Sequence, residues 1–99
     1  MDNQHKKIKG YRDLQEYEVH LMNQIKERGQ DLEELIAKLH SARASQLSAF
    51  KHPTRPPKEV DGLTLEQIEE SGRCITRAED SLKTGIMWLV RSVALPNSF

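Results

Sequence analysis

At 99 residues, with 36% of them apolar and 30% charged, the chain has the length of one domain and little apolar material for a core of its own. Fifteen basic and fifteen acidic residues cancel, which excludes a global field for DNA, RNA or an anionic membrane and leaves electrostatic function to local clusters. A lone cysteine, Cys74, cannot close an internal disulfide, the start MDNQHKK lacks the apolar run of a signal peptide, and the stretch IMWLV at 86–90 is too short to span a bilayer, so a cytosolic protein is expected.

The first predicted element is a basic arm, residues 1–13, where HKKIKGYRDL gathers Lys6, Lys7, Lys9 and Arg12 around Gly10 and Tyr11. A first helix is predicted over 14–50, because Met22, Ile25, Leu32, Ile36 and Leu39 recur at steps of three and four, with Gly29 filling the missing step. Prolines 53, 56 and 57 then forbid helix and predict a connection over 51–63. Thr64 followed by Gln67 reads as a capping box opening a second helix over 64–94, with Ile75, Ala78, Leu82, Gly85, Leu89 and Val93 as its seam. Pro96 ends that helix, and 95–99 form a short tail. The expected architecture is all-α, a hairpin of two long helices.

Two helices share only one mutual face. The extra apolar residues Ile86, Met87, Trp88 and Val90 make the last turns of the second helix apolar almost all round, and such a helix is covered on more than one side. Self-association into a compact homo-oligomer is therefore expected.

Catalysis finds no support in the residues. His5, His20, His40 and His52 have no zinc-ligand spacing, and HExxH, CxxC, GxSxG and P-loop patterns are absent from the sequence. No catalytic residue, metal or cofactor is expected. Binding fares better: Gly10 permits a backbone turn, Tyr11 offers a flat face on which a nucleobase stacks, and Lys6, Lys7, Lys9 and Arg12 suit phosphates. Lys26 lies near Gly29, where a missing side chain admits a ligand or a neighbouring backbone. Plainer readings stand beside these: Tyr11 as a staple over Leu14, Lys26 as a solvated charge, and Gly29 and Gly85 as close packing points. Arg73, Arg77 and Arg91 are surface charges, partners of nearby acids, or an anion site made by symmetry.

KIKGYRDL, VHLMNQIKERG and the closing AEDSLKTGIMWLVRSVALPNSF together resemble the phage anti-CBASS sponge family, whose helical-hairpin domain is shared with anti-Thoeris sponges. The resemblance covers the arm, the first helix and nearly all of the last thirty residues, but not the proline-rich connection. It implies a non-enzymatic homohexamer, acting in the cytoplasm of an infected bacterium, that sequesters cyclic dinucleotides such as 3',3'-cGAMP and in several cases cyclic trinucleotides. It also implies no partnership with DNA, RNA or membrane.

The resemblance carries Tyr11 over as the base-stacking residue and Lys26 as the phosphate contact, in a dinucleotide pocket formed where two chains meet, with Gly10, Arg12, Lys9 and Gly29 around them. Members of the family it resembles tend to carry an aromatic after the arginine at the start of the second helix, whereas Arg73 here is followed by Cys74 and preceded by GLTLEQIEESG. Arg73 and Arg77 are the candidates for a separate trinucleotide site. The alternative in another class is a helical adaptor whose basic arm binds acidic partners or nucleic acid backbone.

Overall fold

The computed structural model describes residues 13–51 and 54–95. The arm residues Lys9, Gly10, Tyr11 and Arg12 lie outside them. Two helices account for most of the described chain: α1 (Glu16–Ala49, 34 residues) and α2 (Leu65–Ala94, 30 residues), paired as a helical hairpin. Among the described residues no helix is long and apolar enough to cross a membrane.

Each helix starts where its sequence satisfies orphan N–H groups. At α1 the Gln15 backbone N–H donates to Glu18 Oε1 at 2.9 Å, and Glu16 and Glu18 place negative charge in the first turn. At α2 the expected capping box is complete: Gln67 N–H donates to Thr64 Oγ1 at 3.2 Å while Thr64 N–H donates to Gln67 Oε1 at 2.9 Å. Thr64→Ala should cost about 1 kcal/mol of stability, read by chemical denaturation. At the far end of α2, Leu95 adopts a left-handed φ of 43° and its N–H donates to the Arg91 carbonyl at 2.8 Å, closing the helix.

The connection holds a feature not anticipated from its prolines. Val60 and Leu63 exchange both backbone hydrogen bonds at 2.9 Å across Asp61 (φ 53°) and Gly62 (φ 77°). Positive φ at both central residues is the geometry of a tight two-residue turn, for which Asp-Gly is a favoured pair. The Asp-Gly pair was the available signal in the sequence.

The chain divides into two compact units, each pairing a stretch of α1 with a stretch of α2: one holds the described residues up to Gln30 with those from Leu82 onward, the other Asp31–Ser81. In the first, the sheltered positions include Met22, Ile25 and Gly29 of α1 and Ile86, Val90 and Ala94 of α2. A Cβ on Gly29 would lie 3.1 Å from Ile86 Cδ1, so the bare glycine admits the isoleucine of the opposite helix. In the second unit, Ile36, Ile68 and Ile75 form the core, with Ile68 only 2% exposed.

Two seam expectations need correction. Leu39 is 43% exposed, and the sheltered α1 position there is His40. On α2 the sheltered row passes through Ile75, Glu79, Ile86, Val90 and Ala94, while Ala78, Leu82, Gly85 and Leu89 are exposed. A helix that is apolar on most sides supplies two rows of equal hydrophobicity, and only packing decides which of them faces α1. A Cβ on Gly85 would meet nothing within 4 Å. Gly85→Ala should therefore raise the melting temperature, since alanine is favoured by about 1 kcal/mol in a helix interior. A lowered one would mean that something beyond the chain itself packs there.

Candidate functional site

The α1 repeat changes character in the second unit. Leu32 and Ile36 are followed on the same sheltered row by His40, Arg43 and Gln46 before Leu47 and Phe50 resume it. Polar side chains in such positions cost stability unless they are paired, and each of these is. His40 Nε2 lies 3.5 Å from Glu79 Oε1. Arg43 donates from Nε to Ser71 Oγ at 2.7 Å and from Nη1 to Gln46 Oε1 at 2.6 Å, and Gln46 Nε2 donates to Asp61 Oδ2 at 2.9 Å. A chain of hydrogen bonds thus runs from the Asp61–Gly62 turn through α1 to α2.

Beside this chain lies an open groove of about 600 Å³ lined by both helix stretches. Its apolar wall is Ala44, Leu47 and Ile68, and His40, Arg43, Arg73 and Arg77 bring the basic groups. Glu69 also borders it. Gly72 also borders the groove, and the Thr76 hydroxyl donates to its carbonyl at 3.1 Å, leaving the hydroxyl oxygen as an acceptor.

Arg73 is engaged one turn back: Nη2 reaches Glu70 Oε2 at 2.9 Å, and Cys74 Sγ contacts the other carboxylate oxygen at 3.7 Å. That hydrogen bond, with the guanidinium charge behind it, holds the Glu70 carboxyl below the usual carboxylate range and raises Arg73 in turn. Both groups are solvated, so the pair is a weak tie that an incoming anion can exchange.

The arrangement suits a ligand with flat apolar faces and several anionic groups. Guanidinium forks match phosphate oxygens and stack on ring faces, and the leucine, isoleucine and alanine wall accepts the edges of rings. Among the described residues no group of three or more His, Cys, Asp or Glu side chains could hold a metal ion.

Of the residues singled out in the sequence, Arg73 and Arg77 are brought together on one groove, whereas Lys26 and Gly29 belong to the other unit. Lys26 is exposed on α1, one turn before Gly29, whose open side receives Ile86. His40, Arg43 and Gln46 were not singled out as binding residues. The signal for them was the interruption of the apolar repeat between Ile36 and Leu47, which the neighbouring Leu39 disguised.

Residues 3–94 match the profile of the Acb2/Tad1 hairpin domain. The chain is also 36% identical, over 108 aligned positions covering 97% of each chain, to anti-CBASS protein 2 of Pseudomonas phage JBD67.

Proposed function

The chain belongs to the Acb2/Tad1 hairpin-domain family, and from that membership we propose that it is a phage anti-CBASS protein, working in the cytoplasm of the infected bacterium, that binds and sequesters cyclic oligonucleotide messengers without altering them. The observation that carries this reading is similarity to anti-CBASS protein 2 along 97% of both chains, since likeness at that coverage extends over the arm and both helices rather than over a shared fragment.

Two binding regions follow. The cyclic dinucleotide, 3',3'-cGAMP among the candidates, is held by Tyr11 stacking on a base and Lys26 on a phosphate, with Lys9, Gly10, Arg12 and Gly29 bordering the pocket where two chains meet. The cyclic trinucleotide is held in the groove by Arg73 and Arg77, whose guanidinium groups face a cavity with an apolar wall. A homohexamer covers the band of Met87, Trp88 and Leu89 that the single chain leaves exposed.

Sequestration makes a simple demand on experiment. Cyclic dinucleotide incubated with the protein and released by heat denaturation should return intact, and both ligand classes should raise the melting temperature by mass action. Linear product accumulating over many turnovers would show an enzyme instead. Indifference to every cyclic oligonucleotide would favour an adaptor whose arm binds acidic partners.

A further inference from the structure

Arg43 differs from the other groove cations in how it is held. Arg73 is tied to a solvated carboxylate one turn away, whereas Arg43 is gripped from two directions by neutral partners, Ser71 on α2 and Gln46 on its own helix. Neutral partners fix a guanidinium without cancelling its charge, and the Nη2 amino group takes part in neither bond. The Gln46 amide is itself oriented. Its nitrogen donates to Asp61 Oδ2, so its oxygen is committed to Arg43, and flipping it would set the carbonyl against a carboxylate and the amino group against a cation. Asp61 is fixed in turn by the paired Val60–Leu63 hydrogen bonds of its tight turn.

We propose that Arg43 is a ligand-contacting cation of the groove, pre-set by an Asp61–Gln46 relay and by Ser71, and that the Asp61–Gly62 turn is thereby a positioning element of the site as well as a connection. This rests on the reading of the groove as an anion site. The ligand that fits carries phosphates spaced widely enough to reach Arg43 on α1 as well as Arg73 and Arg77 on α2, so the relay selects multiply charged rings over a single phosphate. Gln46, Ser71 and Asp61 do not line the groove, and they act only through Arg43.

That separation makes the test. Cyclic triadenylate is titrated calorimetrically into the full-length protein and into Arg43→Ala, Gln46→Ala, the double variant and Arg73→Ala. Arg43→Ala should weaken binding about tenfold or more, the loss expected for one charge-assisted hydrogen bond. Gln46→Ala should weaken it by several-fold without removing a groove contact, and the double variant should bind no worse than Arg43→Ala, because the two substitutions disable one device. Arg43→Lys should not restore the parent affinity, since an ammonium lacks the fork that the relay orients.

A purely structural tie predicts something else: Gln46→Ala lowers the melting temperature but binds as the parent does, or its loss multiplies with that of Arg43→Ala. Either result overturns the proposal while Arg73→Ala still shows the groove to be the site. If the parent binds none of this probe, or Arg73→Ala binds it fully, the groove reading itself fails and takes the relay with it.

Discussion

Trp88→Ala should break the assembly. In the single chain the indole is 58% exposed, flanked by Met87 and Leu89 that are half exposed themselves, and the Arg91 guanidinium carbon lies 5.6 Å from the ring centroid. An exposed cation–π pair contributes only about 0.5–1 kcal/mol, so an isolated chain would scarcely register the loss of the ring. Packed into a subunit contact, the same truncation should cost about 3–5 kcal/mol. Light scattering should then show the parent as an oligomer, a hexamer on the family reading, and the variant as smaller species at micromolar concentration. The parent should also melt at a temperature that depends on protein concentration, and the dissociated variant should lose that dependence. A monomeric parent, or a variant of unchanged mass and melting temperature, would place Trp88 on a free surface and remove any pocket built between chains.

The same surface explains where reading the sequence succeeds and where it slips. Local signals sufficed for element identity: Thr64 and Gln67 marked the start of α2, and the three prolines marked the break. They did not suffice for phase. Leu82, Gly85 and Leu89 make as good a row as Ile86, Val90 and Ala94, and the choice between them was made by Gly29, which accepts Ile86 and not its neighbours. That is a contact between residues 57 positions apart, invisible to any local window. In the other unit the apolar repeat failed at His40 and Arg43 because those positions are polar, and a polar interruption of a packing seam is where binding chemistry is expected. Arg73 and Arg77 were visible as cations, but that Arg43 joins them depends on a hydrogen bond to Ser71, 28 positions away.

Stacking and phosphate contact in the dinucleotide pocket should be separable by mutation. Tyr11 lies outside the described residues and Lys26 is exposed on α1, so the case for both rests on chemistry: a ring face for a base and a cation for the phosphate beside it. Tyr11→Ala should lose about 1–3 kcal/mol per stacked base, and Lys26→Ala about 1.5–3 kcal/mol with its charge-assisted hydrogen bond. Since each 1.4 kcal/mol is a decade in affinity, either variant alone should bind cyclic dinucleotide tenfold more weakly or worse. Tyr11→Phe should be far milder, because the ring face is kept and only the hydroxyl goes. Ionic strength gives an independent reading: a ring with two phosphates should show a shallow salt dependence, whereas a long polyanion held at many contacts shows a steep one. Lys26→Ala should leave the groove undisturbed, because Arg43, Arg73 and Arg77 belong to the unit formed by Asp31–Ser81, to which Lys26 does not belong. Trinucleotide affinity unchanged in a Lys26→Ala protein of parental mass, with dinucleotide affinity lost, would establish two independent sites. Dinucleotide affinity unchanged in both alanine variants would make Tyr11 a staple over Leu14 and Lys26 a solvated charge, and would move the pocket away from the basic arm.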